Sequence, residues 1–228
     1  MVEMRDRTQS ILEASVREFI KTGKPITSEV LYDVYDFGIK PAMIRLELGD
    51  LSNDGFFYQT HPSGGRYPTD KAYKYFVDSV IEKKSKKEHR WIDEEKIEDD
   101  FKGFIDDISR HLGVLSVGFN TYENTIIESG LCELIERMPS SAKEEILSVL
   151  NDFEAIGERI QKHREWIQSE SFWPRVFIGE SPITKSKDLS VVAGKISNED
   201  GNIVIFSIGP KRMDYEEAIG IMKLLSNE

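Results

Sequence analysis

The chain has 228 residues, 39% of them hydrophobic and 31% charged, which is enough apolar material for one large or two small packed domains. A single cysteine, Cys132, excludes an internal disulfide and fits a reducing cytoplasm. No apolar run is long enough to span a membrane, and the first residues lead into no signal-peptide core.

The net charge of −11 is unevenly placed. Residues 1–90 hold 15 Lys/Arg against 14 Asp/Glu, whereas residues 91–228 hold 15 against 27. An acidic C-terminal part repels phosphate and is expected to face away from any nucleic acid.

From Thr8 to Lys21, Ile11, Leu12, Val16, Phe19 and Ile20 recur at helical spacing, and Gly23 and Pro25 end the helix. Thr27 and Ser28 open a second helix, with Thr27 as N-cap and Val30, Leu31, Val34 and Tyr35 expected on its inner side. Gly38 closes it. Pro41, after Lys40, suits the first position of a third helix with Ile44, Leu48 and Leu51 inward, stopped at Asn53-Asp54-Gly55. A fourth helix runs from Thr69 to about Val80, followed by a charged stretch from Glu82 to Glu95 that reads as a connector.

Between the third and fourth helices lies His61-Pro62-Ser63-Gly64-Gly65-Arg66-Tyr67-Pro68-Thr69, preceded by Phe56-Phe57-Tyr58. Two glycines between aromatic and β-prone residues predict a tight hairpin, with Arg66 on its loop and His61 beside it. A glycine-rich basic hairpin behind three helices is the layout of a winged helix, which makes nucleic acid the first partner to consider.

The rest is mixed. A helix is expected from Ile92 to Leu112, a strand over Val114–Phe119, a helix over Tyr122–Met138, and a long helix from Ser140 to Gln168. Strands are expected at Arg175–Ile178, Leu189–Gly194 and Asn202–Ile208, with Gly209-Pro210 breaking the last. A closing helix covers Met213–Leu225, with Asp214 favourable near its N-terminus.

His61, His89, His111 and His163 are scattered and form no metal-ligand spacing with Cys132 or the acids. No phosphate-cradling Gly-x-x-x-x-Gly-Lys loop occurs, and Ser63 near His61 does not make a nucleophile and base. Neither an enzyme nor a cofactor is expected.

Residues 7–80 resemble the N-terminal domain of the heat-inducible transcription repressor HrcA family. The resemblance rests on Tyr35-Asp36-Phe37-Gly38, Ile44-Arg45 with Glu47, Asp50-Leu51, the His61–Thr69 segment and Tyr73. At the other end, Phe177-Ile178-Gly179-Glu180, Leu189–Val192 and Ile208–Tyr215 are similar to that family's C-terminal signature. The resemblance implies an α+β protein, an N-terminal winged helix-turn-helix (1–80), a charged connector (81–95) and a reduced GAF-like regulatory and dimerisation domain (96–228). It further implies a homodimeric repressor of heat-shock and chaperone genes that binds an inverted repeat in double-stranded DNA, with a GroE-type chaperonin as a partner. The chain is short for the family: between Leu112 and Ser129 much of the GAF-like sheet, and the dimerising insertion, are expected to be missing. The third helix also departs from the family, with Lys40, Pro41, Met43 and Leu46 at places where small polar residues and Asn are usual.

The candidate DNA-contact set is Thr27, Ser28, Lys40, Pro41, Met43, Arg45, Leu46, His61, Ser63, Gly64, Gly65 and Arg66. Arg66 is either a phosphate or minor-groove contact or an ordinary exposed arginine. Arg45 either reaches DNA or pairs with a nearby acid. Met43 and Leu46 either touch a thymine methyl or pack on another protein. Tyr67 and Tyr73 suit the core. The other readings of the whole chain are a winged helix turned protein-interaction module, and a ligand-sensing regulator using the GAF-like remnant. A homodimer would use the Ser140–Gln168 helix or the strands after Arg175.

Overall fold

A computed structural model describes residues 4–61, 64–83, 92, 97, 100–138, 143–169, 173–198 and 201–226. The chain divides into two compact units, Met1–Ser79 and Val80–Glu228.

The first unit opens with helix α1 (Asp6–Thr22), whose Ile11, Leu12 and Val16 are fully buried. Helix α2 (Ser28–Val34) is capped by Thr27, whose hydroxyl oxygen accepts the Val30 N–H at 3.2 Å. Helix α3 (Pro41–Asn53) starts with proline in its first turn, where the missing N–H costs nothing, and buries Ile44, Leu48 and Leu51 completely. Strands β1 (Phe57–Tyr58) and β2 (Tyr67–Pro68) pair antiparallel, with Phe57 opposite Pro68 and Tyr58 opposite Tyr67. Helix α4 (Asp70–Glu82) turns Ala72, Tyr73, Phe76 and Val77 inward.

The second unit is built on a five-stranded antiparallel sheet, a layout consistent with a GAF-like domain. After helix α5 (Phe101–Leu112) come β3 (Leu115–Asn120), β4 (Thr125–Ser129), and helices α6 (Leu131–Glu136), α7 (Lys143–Lys162) and α8 (Arg164–Ser169). Strands β5 (Arg175–Ile178), β6 (Leu189–Asn198) and β7 (Gly201–Pro210) and helix α9 (Tyr215–Leu225) follow. The strand order is β4-β3-β7-β6-β5. Leu115, Val117, Phe119, Val191, Ala193, Val204, Phe206 and Ile208 form one face and pack with Leu134, Val149, Ile156, Ile160 and Ile167 of α6, α7 and α8. On the other face a side chain at Gly118 would lie 2.4 Å from Phe101 and 2.7 Å from Ile105, so only glycine lets α5 come this close. On that same side Tyr215 of α9 donates its hydroxyl to Ser190 Oγ at 2.8 Å.

Asp152 ties α7 to the loop before β6. Its buried carboxylate accepts the N–H groups of Lys185 (2.9 and 3.0 Å) and Ser186 (2.8 Å) and a guanidinium hydrogen of Arg159.

Several sequence expectations change here. Residues Tyr122–Met138 are not one helix: Thr125–Ser129 is strand β4, and only Leu131–Glu136 is helical. Asn120 accepts the N–H groups of Tyr122 and Glu123, Asn124 turns left-handed, and the β-branched run that follows pairs with β3. The interval from Leu112 to Ser129 supplies two of the five strands, β4 being additional to the strand expected over Val114–Phe119. The long helix is divided at His163 into α7 and α8. Strand β7 continues through Gly209 and Pro210, which pair with Ser190 and Leu189. Val30 and Val34 are exposed, because a seven-residue helix reaches the core mainly through Ser28 and Leu31. Most of the Glu82–Glu95 connector lies outside the described residues.

Candidate nucleic-acid interface

Three anchors set the position of α3. Its inner stripe is buried, as above. Glu47 reaches back to α1, where its carboxylate accepts the Thr8 hydroxyl at 2.7 Å and Arg7 Nη2 at 2.9 Å. Those bonds hold the Glu47 carboxyl below its usual range, the Thr8 hydroxyl first, against an opposing effect of burial, with Arg7 adding to them. At the far end Ser52 returns its hydroxyl to Leu48 O and accepts Arg66 Nε at 3.1 Å.

Arg66 therefore stands between the two alternatives drawn from sequence. Its backbone exchanges both hydrogen bonds with Ile26, each 2.8 Å, and its side chain is half-buried against α3. Burial, and then the nearby charge of Arg45, push its pKa down from the ordinary arginine value. Among the described residues its terminal guanidinium nitrogens have no hydrogen-bond partner. Gly65 must be glycine for this seating, since a Cβ there would come 2.5 Å from Pro25 Cβ. Gly64 donates to His61 O and accepts from Gln59 Nε2, which closes the hairpin loop. His61 is exposed, and Ser63 lies outside the described residues.

Arg45 pairs with Glu29 of α2 at 2.6 Å, both side chains well exposed. Glu29 is held below its ordinary pKa, first by a backbone hydrogen bond, then by Ser28 and Thr27, and last by Arg45, against a contrary effect of burial. Thr27 is occupied in capping α2, and Ser28 is buried. Lys40 is exposed at the start of α3 and makes no cap bond, and Pro41 is half-buried. Met43 (43% exposed) and Leu46 (62%) project outward from α3.

Tyr58 is 53% exposed and stacks on Tyr67 at 5.3 Å, presenting an aromatic face beside the hairpin. Sequence reading passed over it as one member of an aromatic run. It also passed over Glu29, because a partner sixteen residues away leaves no local signal.

The first unit carries 10 Lys/Arg against 12 Asp/Glu through Ser79. Its positive groups near α3 are thus local, not part of a broad basic surface. Among the described residues no cluster of His, Cys, Asp and Glu suits a metal ion, and no helix is long and apolar enough to cross a membrane.

These two units define an α+β protein with a helical head carrying a small hairpin and an antiparallel sheet covered by helices on both faces. The same fold occurs in a crystallised hypothetical protein solved at 2.2 Å, with a TM-score of 0.79 over 99% of this chain and 97% of that one, at 17% identity. The family model described as the HrcA protein C-terminal domain matches residues 69–219. The chain belongs to the HrcA family. It is 42% identical over 80 residues to the heat-inducible transcription repressor HrcA of Leptospira biflexa serovar Patoc, covering 35% of this chain and 23% of that protein. With the HrcA repressor of Nodularia spumigena it shares 44% identity over 80 residues, 35% of this chain and 22% of the other. The aligned part thus spans under a quarter of the curated relatives' length.

Proposed function

We propose that the chain is a transcription repressor of the HrcA type, and that its first unit is a winged helix-turn-helix that binds double-stranded DNA. In this reading α3 enters the major groove and the hairpin around Gly64 and Gly65 follows the phosphate backbone. One observation carries it: a helix pinned on its inner side by Ile44, Leu48, Leu51 and Glu47 turns an outer side with exposed Met43 and Leu46, and Arg45 paired to Glu29, to solvent, next to a hairpin arginine whose terminal nitrogens have no protein partner among the described residues. The curated relatives' names support the repressor role. Lys40, Arg66 and the helix N-terminus would meet phosphates. His61, Ser63, Gly64 and Gly65 would lie along the backbone, and Thr27, Ser28 and Pro41 would set the angle of entry.

The finer parts of the proposal follow the family. The targets would be heat-shock and chaperone genes carrying an inverted repeat, read by a homodimer, since a two-fold site calls for two copies. A GroE-type chaperonin would be a protein partner, the acidic second unit would be the regulatory and dimerising part, and the protein would work in the cytoplasm.

A gel-shift titration of the whole chain against duplexes enriched from random sequence tests this. Binding should weaken steeply as salt rises from about 50 to 200 mM, with a linear dependence of log affinity on log salt. Absence of binding at the low-salt end would leave the second reading, a protein-interaction surface. The exposure of Met43 and Leu46 is the observation that favours that alternative.

A further inference from the structure

The outer side of α3 is poor in free hydrogen-bond donors. Its exposed positions are Ala42, Met43, Arg45, Leu46, Asp50 and Asn53. Guanine is read in the major groove by Arg or Lys, and adenine by Asn or Gln. The one arginine of this set is held by the Glu29 carboxylate at 2.6 Å, and the one Asn is the last residue of the helix. What the middle of the helix offers is two large apolar side chains, Met43 and Leu46, three residues apart and so neighbours on one face.

Thymine alone among the four bases presents a methyl group in the major groove. Resting on the reading of α3 as the groove helix, we propose that Met43 and Leu46 are specificity residues that recognise the 5-methyl groups of thymines in each half-site. Three residues of helix advance about 4.5 Å, and base pairs stack about 3.4 Å apart, so the two methyls lie on neighbouring base steps. DNA suits this surface better than an apolar protein partner because the stripe is flanked by cations. Lys40 stands at the helix start, Arg45 beside the stripe, and Arg66 close enough to Arg45 to feel its charge. A polyanion gains from Lys40 and Arg66 outright, and from Arg45 where it competes with the Glu29 carboxylate, whereas an apolar protein surface would have to desolvate them.

The test replaces thymine with uracil, which removes the methyl and leaves every hydrogen-bonding group in place. The whole chain is titrated against its best duplex from random selection, and against copies carrying one uracil at a time. Two positions per half-site should each lose about fourfold in affinity, the equivalent of one buried CH2. In Met43→Ala one of these positions, and in Leu46→Ala the other, should become indifferent to uracil. Both side chains are exposed, so the variants keep the fold, which circular dichroism checks. Sequence-specific binding that ignores uracil everywhere would overturn the proposal while leaving the DNA-binding reading intact. So would a uracil effect that survives both variants. Absence of binding to any duplex at low salt would remove that reading and this proposal together, and leave the stripe to a protein partner.

Discussion

Glu47 offers the sharpest test of how α3 is held. Its side chain is only 12% exposed, and its carboxylate accepts from the Thr8 hydroxyl at 2.7 Å and from Arg7 at 2.9 and 3.2 Å. A hydrogen bond to a charged group contributes about 1.5–3 kcal/mol. The Arg7 side chain is 43% exposed, and a screened pair of that kind adds about 0–1 kcal/mol. Glu47→Ala should therefore destabilise the first unit by about 2 kcal/mol, near the lower end of that sum because Thr8 and Arg7 can turn to water. Glu47→Gln keeps the size and removes the charge, so it should lose less. The sign with pH follows from the lowered carboxyl pKa. The charged form is the one the fold favours, so its contribution is complete above the ordinary value of 4.5 and disappears as pH falls through the lower folded value. The gap between wild type and Glu47→Gln should hold at neutral pH and close below pH 4.5. All three tryptophans lie at or beyond residue 91, so fluorescence does not report on this unit. Amide hydrogen exchange at Ile44 and Leu48 does. Unchanged exchange in Glu47→Ala, or a gap that persists undiminished in acid, would refute the anchoring role.

Three further substitutions probe the account. Arg66→Ala should weaken binding to every duplex about equally and lower the salt slope by about one unit, as measured by anisotropy titration at several salt concentrations. Glu29→Gln should release Arg45 and remove a negative charge from the groove side. Affinity should then rise for all sequences, with a steeper salt dependence in the same assay, and an unchanged affinity would show that the pair is already open in solution. Asp152→Ala removes the carboxylate partner of Arg159, which keeps only the Ile183 carbonyl, and leaves two loop N–H groups without their acceptor, so it should cost the second unit about 3 kcal/mol. Tryptophan fluorescence melting reads that loss, since Trp166 and Trp173 lie in this unit.

Much of the first unit was legible from local signals. Thr27 caps where a threonine before a helix should, Pro41 sits in a first turn, and Ile44, Leu48 and Leu51 are buried at helical spacing. The aromatics on either side of Gly64 and Gly65 pair as the strands of a hairpin, but residues 59–66 between them make a longer connection than the tight turn expected. The misses have physical causes. Val30 and Val34 look like a core stripe, but a helix of seven residues packed against α1 and α3 has room for little more than Leu31. Thr125–Ser129 carries Ile126 and Ile127 at a spacing compatible with either period, and only pairing with β3 decides for a strand. The polar anchoring of α3 was legible only in part: pairing of Arg45 with an acid was one of two readings, but neither its partner nor the role of Glu47 was. Glu47 finds Thr8 and Arg7 some forty residues away, and Arg45 finds Glu29 sixteen away. Nothing in sequence distinguishes such carboxylates from a solvated helix face.

The central claim is that the outer side of α3 meets DNA. Leu46 is 62% exposed, so Leu46→Glu leaves the fold alone while placing a negative charge in the middle of that side. The direct measurement is the affinity of wild-type and Leu46→Glu chains for the selected duplex at about 100 mM salt, where charges in contact are still weakly screened and the glutamate repels the phosphates. The account predicts tight, sequence-dependent binding by the wild type and none by the variant, with both chains melting at the same temperature. Equal binding by the two chains would contradict it.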